Sequence, residues 1–299
     1  MTSPVPLGRT CITGASGFVG CALVRRLPGP GHALHFAAPD WQAQVKGADF
    51  RDATVFHLAA RVHEAGASGD AFMHDNVAKT EALARAARAG GARRFVFLST
   101  IKVNGEETRE RPFEASDPAQ PEDDYARSKW RAEQALASVE GLECVIVRSP
   151  LVFGPGAKGN LRALLALADT PWPLPLGAID NRRSFIHVDD LADLLLECAT
   201  RSEAAGRTIL AAHPRPASTT DIVSEMRRSL GRPRRLFGVP APALEALARL
   251  AGAGEKMRRM TRSLEVDSAG ASRLLGWTAR IALAQAVDDM VAAYRGANP

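Results

Sequence analysis

The chain has few cysteines, and none is placed to work with another. Cys11, Cys21, Cys144 and Cys198 are scattered, with no C-x-x-C pair and no clustering with histidines. That pattern argues against a disulfide framework and against a zinc site; it fits a reducing cytoplasm, and no metal is assigned. The opening residues MTSPVPLGRT lack the charged-then-apolar pattern of a signal peptide, and no run approaches the roughly 18 apolar residues that a membrane helix needs. A soluble protein without membrane insertion is expected. Nor is there a continuous basic block, since 38 basic and 33 acidic residues interleave to a net charge of +5. The two densest basic stretches, 227–235 and 256–262, read as solvated helix faces and a loop rather than as a nucleic-acid footprint. A mild attraction for anionic small molecules is the inference that remains.

What is present is an alternation. With 299 residues, 46% of them hydrophobic, the chain can bury one large core or two smaller ones. Short apolar runs at 9–13, 33–37, 54–58, 95–99 and 144–148 predict strands, and helical spacing of apolar residues predicts helices over 18–27, 76–89 and 124–139. Strand following helix in this way is the mark of a parallel sheet covered by helices. After Pro150 the texture changes to a Gly/Pro-rich loop, a short apolar helix and the prolines Pro171, Pro173 and Pro175. Residues 182–200 read as one more strand and helix, followed by helices near 220–230, 243–250 and 281–294. The expected fold is therefore α/β, a Rossmann-like doubly wound parallel sheet with a smaller, mostly helical C-terminal lobe. A nucleotide-binding domain over 1–150, with 182–200 returning to it, would join a substrate lobe over 151–299.

Chemistry begins at TGASGFVG, residues 13–20, between the first predicted strand and the first predicted helix. Gly14 permits a tight turn, Gly17 lets backbone approach a pyrophosphate, and Gly20 allows close helix packing, while the helix N-terminus faces the anion. A second constellation, YARSK at 125–129, opens a later helix. Tyr125 and Lys129 lie on one face, so an ammonium beneath the phenol would lower its pKa and make it a usable proton acceptor. Alone, that spacing is equally an ordinary surface pair. It gains weight from FVFLST at 95–100, an apolar strand ending in hydroxyls at its carboxyl end, where ligands bind in such sheets.

Together these motifs resemble the extended short-chain dehydrogenase/reductase family, in its NAD-dependent epimerase/dehydratase group that acts on nucleotide sugars. HLAA at 57–60, NVAKT at 76–80, RSPLVFGPG at 148–156 and RSFIHVDDL at 183–191 extend the resemblance over nearly the whole chain. It implies that Tyr125 is the acid/base, that Lys129 holds the nicotinamide ribose and tunes Tyr125, and that Thr100 bonds the reacting sugar oxygen, with Ser99 the second choice. The implied cofactor wall comprises Gly14, Ser16, Gly17, Phe18, Val19, Gly20, Leu58, Ala59, Ala60, Asn76, Ser99 and Pro150 beside Tyr125 and Lys129. Lys102, Asn160 and Arg183 would hold the substrate, a UDP-sugar. The cofactor would be NAD, with NADP the other option, and the assembly a homodimer.

Departures bear on the reading. The acid that ends the second strand in this family and reads the adenosine ribose is missing near Ala38, where only Asp40 is close. Only 18 residues lie between Ala38 and His57, too few for the usual helix and third strand. Asn104 and Lys79 stand where the family has tyrosine and glycine. His57 reads as packing or cofactor wall, His187 as a backbone hydrogen-bonding residue, and Asp189–Asp190 as a helix N-terminus; His63, His74 and His213 show no metal spacing. Thr100 is followed by Ile101 and Lys102 rather than by the carboxylates a 4,6-dehydratase uses, which leaves hydride transfer at C4. Runs of the type SIKVNGE, PLPLG and NRRSF resemble a bacterial subgroup linked to UDP-N-acetylhexosamines and their 6-deoxy-4-keto derivatives in polysaccharide synthesis. That points to a 4-epimerase, with an NAD(P)H-dependent 4-keto-reductase and a non-catalytic cofactor sensor as the alternatives.

Overall fold

The computed structural model describes residues 6–62 and 69–297, so His63 falls outside the described residues. Within them the strands β1 (Thr10–Thr13), β2 (His32–Leu34), β3 (Thr54–His57), β4 (Arg94–Thr100), β5 (Cys144–Ser149) and β8 (Thr208–Leu210) form one parallel sheet in the order β2-β1-β3-β4-β5-β8. The expected parallel sheet is therefore present, and five of its six strands overlap the apolar runs read from the sequence, the central ones because a strand buried on both faces is apolar throughout. A separate two-stranded ladder pairs β6 (Leu151–Phe153) with β7 (Phe185–His187).

One face of the sheet is covered by α2 (Trp41–Gly47), α4 (Lys79–Ala89) and α5 (Asp124–Ala137), whose Leu83, Ala84, Ala87, Ala132 and Leu136 pack on Phe95 and Phe97. The other face is covered by α1 (Phe18–Val24), α7 (Val188–Thr200) and α11 (Ala269–Leu275), through Leu23, Leu191, Leu195 and Leu275. A further core joins α6 (Asn160–Ala168), α8 (Thr219–Ser229), α9 (Ala241–Leu250) and α12 (Leu283–Ala297) around Leu165, Val223, Met226 and Val287. Here α10 (Gly254–Thr261) packs beside α9. The C-terminal half does not stand apart: α7, β8 and α11 all return to the sheet, farther along the chain than 200. The three residues of β8 were too short to stand out as a strand in the sequence.

The shortened second repeat has a definite form. In the usual order of this fold a third strand lies outside the second. Here β2 is the sheet edge, and the chain passes through the two-turn α2 directly to β3 on the far side of β1. The helix is thus present and the outer strand is not. Near that edge, Asp40 Oδ1 accepts from Gln44 Nε2 at 2.9 Å while Gln44 Oε1 accepts from the His35 N–H at 2.9 Å. Lys79 fits the position usually held by glycine by donating to the Phe36 carbonyl and pairing with Asp75.

Two further readings need correction. Arg227, taken as part of a solvated basic face, is buried and clamps the proline-rich segment, donating to the carbonyls of Thr170, Trp172 and Pro233. Asp189 and Asp190 do stand at the N-terminus of α7, in its first turn, but the N-cap is His187, whose Nδ1 accepts from the Asp189 N–H. Asp190 instead accepts from the backbone of Arg280 and Ile281, and Asp189 pairs with Arg26.

Candidate active site

The glycine turn, HLAA, the end of FVFLST and YARSK fall at the carboxyl edge of the sheet, around the point where β1 and β3 meet. Gly14 takes φ +72°, and a β-carbon on it would stand 2.8 Å from the amide nitrogen of Ala59. On Gly20 a β-carbon would come within 2.0 Å of the Gly14 carbonyl oxygen. The glycines thus bring the turn after β1 against the turn after β3, leaving the amides that open α1 facing outward with exposed Ser16 and half-buried Phe18 and Val19. Half-buried Leu58, Ala59 and Ala60 continue the wall, Thr100 ends β4, and Pro150 follows β5. This cradle of bare backbone at a switch point fits a dinucleotide.

Beneath it runs a chain of hydrogen bonds through His57. Thr80 Oγ1 donates to the Asn76 carbonyl at 2.7 Å, so it accepts from His57 Nε2 at 2.7 Å; His57 Nδ1 then accepts from Thr13 Oγ1 at 2.6 Å, and that oxygen accepts the Ala59 N–H at 3.2 Å. Complete burial, with Lys129 adding to it, holds the imidazole well below its usual pKa. His57 is therefore a neutral spacer that sets the loop carrying Leu58–Ala60. Asn76, expected on the cofactor wall, lies in a π-helical segment (Met73–Ala78) between α3 (Gly69–Phe72) and α4. Its amide is fully engaged: Oδ1 accepts from the Arg61 N–H, while Nδ2 donates to the Arg61 carbonyl and to Ser128 Oγ. It acts on the cleft by tying that loop to α5, not by a free donor of its own.

Asp123 caps α5, accepting from the Ala126 N–H at 2.7 Å, and so starts the helix one turn before Lys129. Lys129 is buried, with its ammonium 3.9 Å from the centroid of the Phe97 ring. Desolvation pulls its pKa down to about 7, against the opposing charge of Glu133. Tyr125 departs from expectation. Burial, and then the charge of Asp123, raise its pKa, so in the free protein the phenol is held protonated rather than activated by Lys129. Thr100 Oγ1 accepts from the Lys102 N–H at 3.3 Å. Ser99 points the other way, as the pleat requires, and donates to Glu133 Oε1 at 2.5 Å inside the core. It is corrected from second-choice catalytic hydroxyl and cofactor contact to a core residue.

A family model described as "NAD dependent epimerase/dehydratase family" matches residues 10–212. A Vibrio cholerae protein named UDP-glucose 4-epimerase is 32% identical over 96% of this chain and 95% of its own. The chain belongs to the NAD-dependent epimerase/dehydratase family. Other relatives carry different names: one from Caulobacter vibrioides, called ceramide reductase, is 29% identical over 79% of this chain and 75% of its own. Among solved structures, MoeE5 in complex with UDP-glucose and NAD aligns with TM-score 0.73 at 23% identity, over 98% of this chain and all of that one. RMD from Pseudomonas aeruginosa complexed with NADPH aligns with TM-score 0.75 at 20% identity, over 97% of this chain and all of that one. These two show the shared fold, and both neighbours carry a nicotinamide cofactor.

In this family member the mouth of the cleft is a cluster of charge that only the fold assembles. Lys102 Nζ pairs with Glu106 Oε1 and with Asp123 Oδ2, each at 2.7 Å. From the C-terminal lobe, Arg259 on α10 approaches the same two carboxylates at 3.7 Å, with its buried Nε lacking a hydrogen bond. Arg183 donates to the Arg262 carbonyl at 3.4 Å; desolvation lowers its pKa, Glu106 opposes that shift and Arg259 adds to it. Lys102 and Arg183 thus converge, and the unforeseen member is Arg259. Its run of basic residues read as solvent-facing, since nothing local says what a helix face will meet. The carboxylates at this opening, Glu106 and Asp123, are both held by Lys102. Asn160 is exposed at the start of α6.

Proposed function

We propose that this chain is a nucleotide-sugar 4-epimerase acting on a UDP-N-acetylhexosamine. One observation carries the reading: Thr100, Tyr125 and Lys129 stand at the end of β4 and on the first turns of α5, beside the glycine cradle, while Arg183, Arg259 and Lys102 crowd the same opening. A diphosphate needs such guanidinium groups, and the buried, unbonded Nε of Arg259 is a donor in want of an acceptor. NAD bound along Gly14–Gly20 would accept a hydride from C4 and return it. The protein's own part is proton and position. As the phenolate, Tyr125 Oη would take the proton of the 4-hydroxyl and, once protonated, give it back, while Thr100 Oγ1 hydrogen-bonds the same oxygen and Lys129 supplies the positive charge that favours the phenolate. Water elimination is disfavoured, since Ile101 follows Thr100 and the nearby carboxylates are bound to Lys102.

A 4-keto-reductase is the second reading. It is favoured by the missing outer strand and ribose acid, which suit a cofactor released at each turnover. The two separate in one experiment. The protein is purified without added cofactor and incubated with UDP-N-acetylglucosamine, and in parallel with a UDP-4-keto-6-deoxy-N-acetylhexosamine plus NAD(P)H. Conversion of the first to its C4 epimer without net cofactor change supports the epimerase. Stoichiometric NAD(P)H oxidation with the keto sugar alone overturns it in favour of the reductase, and tight NAD binding without turnover of either would favour a sensor. The cytoplasm as location and a homodimer as assembly belong to the same proposal.

A further inference from the structure

Behind the reacting groups lies a buried charge cluster that the proton chemistry above does not use. Glu133, one helical turn beyond Lys129 on α5, receives Ser99 Oγ at 2.5 Å, Arg148 Nε at 3.1 Å and Arg148 Nη2 at 2.5 Å. The side chains of Glu133 and Arg148 are only 2% and 5% exposed. Arg148 Nη1 continues to Asn104 Oδ1 at 2.9 Å, and Asn104 Nδ2 to the Glu114 carbonyl at 3.0 Å. Three segments meet at one carboxylate, β4 through Ser99, α5 through Glu133 itself and β5 through Arg148, and Arg148 links them to the turn after Thr100 through Asn104. Replacing such a buried pair by apolar residues is commonly neutral for stability, so stability alone is a poor reason for its presence.

We propose that Glu133 is a positioning residue for Thr100 and Lys129: it ties the end of β4 that carries Thr100 to α5, and it places a carboxylate one helical turn from Lys129 in a dry site. The pinning follows from geometry. With Ser99 tied to Glu133, the end of β4 that carries Thr100 is held against α5, and the same carboxylate sits one turn from Lys129 on the helix. Several charged groups on elements packed around α5 are matched elsewhere, Arg94 on β4 among them, paired with Glu143. Arg148 donates to Glu133 and Asn104, Asp75 binds Arg61 and Lys79, and His57 is held neutral. Asp123, at the head of the helix, binds Lys102. Among these, Glu133 is the charge that opposes the desolvation of Lys129.

The inference rests on the C4 chemistry proposed above for its kinetic arm, and a second arm is independent of it. The variants are Ser99→Ala, Glu133→Gln, and Glu133→Met combined with Arg148→Met, the last leaving no unpaired charge in the core. Expected for Ser99→Ala and the double variant is a kcat about tenfold or more below wild type with KM for the UDP-sugar within about twofold, the split of a misplaced reacting group rather than lost substrate binding. In the second arm, the chain holds only six lysines, so selective carbon-13 labelling at Cε, with Lys129→Met for assignment, follows Lys129 alone. Its titration midpoint, near 7 in wild type, should fall in Glu133→Gln. An unchanged kcat in both Ser99→Ala and the double variant, or an unmoved midpoint in Glu133→Gln, overturns the proposal. If no C4 activity is found, the titration still decides.

Discussion

Gly20 faces the carbonyl oxygen of Gly14 so closely that a β-carbon there would stand 2.0 Å from it. No rotation of a methyl group relieves that contact, because both partners are backbone. Gly20→Ala must push α1 away from the turn that would receive a pyrophosphate. The expected outcome is a loss of about 1–3 kcal/mol in stability, as for other overpacked sites, together with weaker NAD binding. Thermal unfolding with and without NAD checks both, and a variant unchanged in melting temperature and in affinity would show that the turn is not packed in this way.

Tyr125→Phe should leave NAD affinity nearly intact and lower turnover by about 10²–10⁴-fold, the range typical of a lost general acid/base. Single-turnover rates and cofactor titration measure the two effects separately. A near-normal rate would remove Tyr125 from the mechanism. The other tyrosine, Tyr294, lies far along the chain on α12, and its change to Phe serves as the control.

Arg183→Ala and Arg259→Ala should each raise KM for the UDP-sugar more than they lower kcat, since a diphosphate contact is present in ground and transition state alike. Steady-state kinetics on both variants tests this. An unchanged KM in both would put the diphosphate elsewhere.

His57 makes stability depend on pH in a defined direction. Burial holds it well below its ordinary value of 6.5, so under mild acid the unfolded chain takes up a proton that the native protein refuses. Stability is therefore lost as pH falls below about 6.5, at up to about 1.4 kcal/mol per pH unit for one such group. His187, lowered chiefly by burial as well, contributes in the same direction. His57→Gln should be less stable near neutrality, through loss of the Thr13 and Thr80 contacts, yet show a flatter decline into acid. Denaturant titrations at several pH values read both quantities, and an identical slope in the variant would mean that His57 is protonated in the native state.

Short-range patterns in the chain were enough for the sheet, the glycine turn and the Tyr125–Lys129 pair. Each is encoded within a few residues: an apolar run, a glycine required where backbone meets backbone, an i, i+4 spacing on one helix. The family likeness rests on the same kind of local string. The missing outer strand was visible too, because chain length bounds what can fit between two strands. What only the tertiary structure decided is which distant groups share a cavity. Periodicity tells that a face of a helix is buried or exposed but not what it meets, so Arg259 and Arg227 read as solvated charge until the fold carried one to Asp123 and the other under Trp172. The direction of a side chain from a strand end belongs to the same class: Ser99 and Thr100 are equivalent hydroxyls in the sequence, and only the pleat, with Glu133 on one side, sends the first into the core and leaves the second on the opposite face. The protonation of Tyr125 was likewise beyond local reading, since spacing brings Lys129 onto its face of the helix, while burial and the neighbouring Asp123 determine the electrostatics.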